Sequence, residues 1–417
     1  MSEGEQVVLD VNLLAEGKEY CSVGGLAVSP SKTLLAYTVD FSGNEKYLLY
    51  VINLETREQL FHDDKLETSG DINWGLDDTS LFYLTMDETK RPDKLWRKRL
   101  NSDSKEDEMI KSENDPQFWS GIFKTKDKKY LVLDIGSGET SECWFVDLEA
   151  DAAAGDATTT LECIAPRRFR VLYSVNHRSG FWWISSKTGE ETPNMRLFTS
   201  PAKANCQDEW TLVNGPEGQP LFDGGYERAL SGVSVFQSHN IVTGREGGIP
   251  RVWVLTMKDE TPAVTNFECL TFEEEAYDVG LTSHYEYNTE TIMVCYDSMI
   301  TPTQYIDISL SNLEERTVVK KTKVPNYNKD EYDCDRYFVT SRDGSTQIPV
   351  LRVFRKDVME EHKSSGKPVP THLYGYGAYA ICCEADFRAT RLQLLQRGIV
   401  FVLAQIRGGG EIGRKYF

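Results

Sequence analysis

Gly24-Gly25-Leu26-Ala27-Val28-Ser29-Pro30, Leu34-Leu35-Ala36-Tyr37-Thr38-Val39 and Tyr47-Leu48-Leu49-Tyr50-Val51-Ile52 are three short apolar runs separated by turn residues. The pattern returns as Asp71-Ile72-Asn73-Trp74, the turn Gly75-Leu76-Asp77-Asp78, Leu81-Phe82-Tyr83-Leu84 and Lys94-Leu95-Trp96-Arg97. A third copy holds Phe118-Trp119-Ser120, Tyr130-Leu131-Val132-Leu133 and Cys143-Trp144-Phe145-Val146-Asp147, and further copies begin near Leu172, Gly232 and Val279. Each unit reads strand, turn, strand, loop, strand, rich in β-branched and aromatic residues and without helical periodicity. One such sheet cannot bury both of its faces alone. A several-stranded unit recurring every ~45–55 residues is the signature of propeller blades, in which radial stacking covers the faces. A β-sandwich does not require this repetition. Trp74, Trp119 and Trp182 recur at strand positions of successive units and are expected in the blade core. The segment 150–160 is low in complexity and is expected to be a flexible loop.

After about Asn326 the character changes. Ile348-Pro349-Val350-Leu351-Arg352-Val353-Phe354 is followed by the polar stretch 356–367 and a short strand over 370–374. The stretch 387–396 carries Phe387, Leu394 and Leu395 on one helical face and closes at Arg397-Gly398. Ile399-Val400-Phe401-Val402-Leu403-Ala404 is a continuous apolar run, as expected of a strand buried on both faces. Strand, helix and strand make a βαβ unit and open an α/β domain. The expected division is a β-propeller over 1–326, lacking its first strands, and the start of an α/β domain over 327–417. With so little of that second sheet present, the run 399–404 is expected to lie at an unpaired apolar edge and to promote aggregation.

The 417 residues carry 46 Lys+Arg against 65 Asp+Glu, a net charge of −19 that argues against nucleic acid, whose phosphates need clustered cations. The longest apolar run near the C-terminus is far short of the roughly 18 residues of a membrane span. The first residues show neither a basic nor an apolar signal region. Nine scattered Cys without CxxC spacing, and no glycosylation sequon, favour a reducing, cytoplasmic compartment. Zinc-binding His spacings, a phosphate loop and a G-x-S-x-G nucleophile elbow are all missing from the sequence, so no metal or cofactor is implied and no complete catalytic set can be assembled.

Residues 371–417 carry a family likeness. Leu373-Tyr374-Gly375-Tyr376-Gly377, Tyr379, Glu384-Ala385-Asp386-Phe387, Arg391 through Gly398, and Ile406-Arg407-Gly408-Gly409-Gly410-Glu411-Ile412-Gly413 resemble the start of the hydrolase domain of prolyl oligopeptidases. The likeness is strongest to the oligopeptidase B branch. Val8-Leu9-Asp10, Tyr296-Asp297-Ser298 and Arg342-Asp343-Gly344 fit the same family more loosely. The resemblance implies a seven-bladed propeller before an α/β-hydrolase domain and a serine endopeptidase cutting short, basic peptides after Arg or Lys. The propeller would restrict substrates by size.

The resemblance also implies roles for individual residues. Tyr376 would donate its hydroxyl to the oxyanion, a neutral donor suited to that task. Glu384 and Asp386 would hold a basic substrate side chain, since carboxylates pair with guanidinium groups through two bonds. Acidic residues just before a helix also suit its N-terminus, which leaves a structural reading open for both. Arg407 serves equally as a brace for the glycine turn. The nucleophilic Ser, its Asp and its His would follow Phe417, so these residues alone are expected to be inactive. The alternatives are cleavage after proline and a non-catalytic propeller that binds peptides or proteins.

Overall fold

The structure is a computed structural model that describes residues 6–100, 107–155, 157–188, 192–225, 227–414 and 416. The outer limits of the expected division, Met1 and Phe417, lie outside the described residues. By contacts the chain forms two compact units, Met1–His177 with Pro201–Trp210, and Arg178–Ser200 with Thr211–Phe417.

The first unit holds three complete four-stranded antiparallel meanders. The first joins Ser22–Val28, Leu34–Asp40, Tyr47–Asn53 and Gln59–Thr68 in chain order. Ile72–Trp74, Ser80–Met86, Pro92–Arg99 and Glu108–Ser112 make the next. Trp119–Lys124, Tyr130–Gly136, Ser141–Asp147 and Glu162–Ala165 follow. In each, the second strand is nearly continuous in burial, and in the first meander the last strand faces solvent, as Leu34–Asp40 against Gln59–Thr68 shows. A strand covered on both faces reads as an uninterrupted apolar run, which is why Leu34–Val39, Leu81–Leu84 and Tyr130–Leu133 stand out in the sequence.

Trp74 and Trp182 are fully buried, and Trp74 Nε1 donates to the Ala27 carbonyl at 2.8 Å. Trp119 departs from expectation: it is 57% exposed, because it opens its strand on the outward side while its neighbours Phe118 and Ser120 turn inward. The segment 150–160 also departs. Its first half continues a helix, Leu148–Ala154, whose N-cap Asp147 accepts from the backbone N–H of Glu149 and Ala150. The alanines supply helix propensity, and the cap supplies the start.

The second unit contains two further meanders, Arg228–Val235 to Val264–Cys269 and Asp278–Leu281 to Arg316–Lys321. Its last sheet is different. Tyr332–Thr340, Gln347–Arg355, Val400–Ala404 and Thr371–Tyr374 lie side by side in that order. Val400–Ala404 runs antiparallel to Gln347–Arg355 and parallel to Thr371–Tyr374, so the expected crossover exists. Val350, Phe354, Val400 and Val402 pack on one face, and Leu351, Val353, Phe401 and Leu403 on the other. Period-2 alternation thus fills both faces of one sheet.

The run 399–404 is not an unpaired edge, because the hairpin Tyr332–Arg355 folds back and pairs with it. The edges of the sheet are Thr371–Tyr374, where Leu373 is 67% exposed, and Tyr332–Thr340, where Phe338 is 52% exposed. The expected helix over 387–396 shrinks to the turn Ala389–Arg391 and Leu392–Leu395, whereas the polar stretch after Arg355 forms the longer helix Lys356–Ser365, closed by left-handed Gly366. Its lack of an apolar stripe hid it: none of its residues is buried.

Candidate functional site

At the end of strand Thr371–Tyr374 the chain turns through Gly375-Tyr376-Gly377. A Cβ on Gly375 would meet the Ala404 carbonyl oxygen at 2.9 Å, and one on Gly377, which sits at φ +64°, would meet Ile406 and Arg407 at about 2.5 Å and 2.6 Å. Only glycines on both sides allow this turn. Tyr376 is left 45% exposed, its ring lining a cavity of about 450 Å³. Glu384 and Asp386 line the same cavity, with Cys382, Arg388 and Arg391 among the other walls. The three residues singled out by the sequence are therefore brought together.

The segment that presents Glu384 has no regular secondary structure and is held by its backbone. The Cys383 N–H donates to Glu411 Oε1 and the Cys383 carbonyl accepts from Gln405 Nε2, both at 2.8 Å. Gln405 and Glu411 are 3% and 1% exposed, and Tyr416 donates to the Gln405 carbonyl at 2.6 Å. Sequence reasoning assigned neither residue a role. Glu411 stood inside the glycine-rich motif, but nothing in its spacing says that it reaches back 28 residues.

The carboxylates are not bare. Glu384 Oε1 accepts from Arg245 Nη2, while its Oε2 is buried and, among the described residues, accepts no hydrogen bond. Burial pushes the Glu384 carboxyl up, with Arg245 opposing that shift. Asp386 accepts from Arg388 Nε at 2.8 Å and from Arg391 Nη2 at 3.3 Å, and Arg391 also donates to its backbone carbonyl at 2.8 Å. Neither carboxylate caps the short helix: the turn that opens at Ala389 has no side-chain cap and no acidic residue in its first turn. Asp278 and Asp297 add to the local negative charge, Asp278 acting on Glu384 and Asp386 on both Asp278 and Asp297. Burial raises both carboxyls, Asp297 to about 6, with Asp278 and Asp386 adding to the rise at Asp297.

Among the described residues, Arg407 is held by side chains rather than by carbonyls. Its Nη1 donates to Asp343 Oδ2 at 2.9 Å and to Ser345 Oγ at 3.2 Å, which fastens the strand end to the Arg342-Asp343-Gly344 turn. Among the described residues, no cluster of three or more His, Cys, Asp or Glu is placed to hold a metal ion. No helix among them is long and apolar enough to cross a membrane.

Successive antiparallel meanders followed by a mixed sheet, with a cavity at the end of one of its parallel strands, define a β-propeller chain that continues into the start of an α/β sheet. Residues 1–322 match the family described as "Prolyl oligopeptidase, N-terminal beta-propeller domain", and the chain belongs to that family. It is 31% identical over 99% of its length to dipeptidyl aminopeptidase BI of Pseudoxanthomonas mexicana, covering 53% of that protein. To protease 2 of Moraxella lacunata it is 30% identical over 99% of its length, covering 56%. Among solved structures, oligopeptidase B from Leishmania major superposes with a TM-score of 0.82 at 31% identity, over 99% of this chain and 55% of that one. Oligopeptidase B from Trypanosoma brucei, in its closed form with covalently bound antipain, gives 0.83 at 31% identity, over 100% and 56%. The chain spans about half the length of the curated relatives it matches.

Proposed function

We propose that the chain is the propeller and the opening part of the catalytic domain of a cytoplasmic serine endopeptidase that hydrolyses short peptides after basic residues. The division of labour is residues 1–326 for the propeller, which limits substrate size, and 327–417 for the start of the peptidase domain. In this reading Tyr376 donates to the oxyanion of the tetrahedral intermediate, and Glu384 and Asp386 contact a basic substrate side chain. The triad comes from the half of the relatives' length that the chain does not span. Its Ser attacks the scissile carbonyl, its His moves the proton and its Asp orients the His.

The observation that supports this reading is the cavity itself. Its lining includes a half-exposed phenol and two carboxylates, and the phenol sits on a turn that admits only glycines at its sides. The test uses the full-length protein with both carboxylates changed to amides, Glu384→Gln with Asp386→Asn. Cleavage of substrates with two adjacent basic residues should fall by about ten- to a hundredfold in kcat/KM, while single-basic substrates lose much less. Equal losses on both substrates, or none on either, overturn the role of the pair.

A further inference from the structure

We propose that Arg245 is an internal guanidinium that a basic substrate side chain replaces at Glu384, so that a residue of the preceding meander sets the specificity of the cavity. The inference deepens the reading above and rests on it for the chemistry of the ligand.

In the arrangement seen, neither oxygen of Glu384 is open to a ligand. One accepts from Arg245, and the other is buried without a donor. A buried acceptor without a partner is unfavourable, so the carboxylate is half satisfied as it stands. Arg245 cannot satisfy it fully. Only its Nη2 reaches Glu384, because Nη1 is directed to the Gly248 carbonyl at 3.3 Å. An arriving guanidinium without that second commitment can donate through two nitrogens to both oxygens.

The displaced side chain also has somewhere to go. Arg245 is the last residue but one of the strand His239–Glu246, its backbone fixed opposite Pro250, so only its side chain needs to move. Asp278, raised by burial, already feels the charge of Arg245. Transfer of Arg245 from Glu384 to Asp278 keeps each cation beside an anion while the ligand enters. Asp386 offers no equivalent exchange, since separate arginines, Arg388 and Arg391, occupy its two oxygens.

The test is calorimetric titration of di-arginine amide into the protein at low salt and pH 8, with R245Q, D278N and E384Q variants. R245Q should bind about five- to tenfold tighter than the parent, D278N about threefold weaker, and E384Q about tenfold weaker in either background. Equal or weaker binding by R245Q, or no binding to any variant, overturns the exchange. If R245Q fails to fold, as read by circular dichroism, D278N decides: binding unchanged from the parent sinks the proposal. The peptidase reading fails separately, if the full-length protein does not cleave after basic residues whatever the titration shows.

Discussion

Two arginine–carboxylate clusters, one in each unit, use the same residue types to opposite ends. In the first unit Arg97, 3% exposed, donates to Asp151 Oδ1 at 2.6 Å and lies 2.7 Å from Glu108 Oε2. Thr159 donates its N–H and hydroxyl to Glu108 at 2.8 and 3.1 Å, and its hydroxyl also lies 2.9 Å from Asp151 Oδ1. Arg97 further reaches the Ala157 carbonyl at 2.6 Å. Both oxygens of Glu108 are occupied, and the network ties helix Leu148–Ala154 to strand Pro92–Arg99. In the second unit Arg245 meets one oxygen of Glu384, the other accepts nothing, and a cavity adjoins. A connected buried network is structural, and a half-satisfied one beside a cavity is available for exchange. Charge type alone does not separate these roles; the accounting of acceptors does.

Asp151→Ala should separate them most sharply. It removes one of the two carboxylates that face the buried Arg97 and leaves Glu108 as its remaining counter-charge, a loss of about 2–3 kcal/mol of stability. Urea denaturation would show it as a lower midpoint, and a midpoint within error of the parent would make the network ornamental. Tyr376→Phe should do the reverse in the full-length enzyme. On the proposed role it removes the oxyanion donor and no packing, so kcat should fall by roughly 10²–10³ while stability stays within about 0.5 kcal/mol. Loss of stability without loss of kcat would make Tyr376 a packing residue.

A third measurement probes by pH the acidic residues coupled to Asp386. The Asp297 carboxyl is raised by burial to about 6, above its ordinary value near 3.9. Between those two values the folded protein holds a proton that the unfolded chain has released. The contribution of Asp297 to stability therefore declines as pH rises through that window. Asp297→Asn should remove this component, so the variant gains on the parent between pH 4 and pH 7 in thermal unfolding. A constant difference between the two would show that Asp297 is not protonated in the fold. The smallest effect is expected for Glu384→Gln on stability, less than about 1 kcal/mol, because the amide still accepts from Arg245 and one carboxylate oxygen was unpaired to begin with. A loss as large as that of Asp151→Ala would erase the distinction between the clusters.

The meanders were legible because a strand buried on both faces leaves an uninterrupted apolar run, and turn residues such as Asp77, whose side chain accepts from the N–H of Thr79 and Ser80, mark its ends. The turn around Tyr376 was legible because only glycine fits beside it. Trp119 was misread because a tryptophan on a strand does not say which side it faces, and the pleat at the strand start decides. The helix Leu148–Ala154 was missed because alanine-rich low complexity resembles a linker until Asp151 finds Arg97, 54 residues away.

The sequence by itself determined the recurrent strand units, the βαβ crossover, the glycine-bounded tyrosine and the family likeness, since all of these rest on periodicity or on neighbours within a few residues. The tertiary structure alone decided which carboxylates are occupied and by what. Arg245 stands 139 residues from Glu384, and Val400–Ala404 finds its antiparallel partner about fifty residues upstream. Such pairings depend on where the folded chain brings distant side chains, and on how many acceptors burial leaves without a donor. No local pattern encodes either quantity, because both are properties of the closed structure rather than of any segment of it.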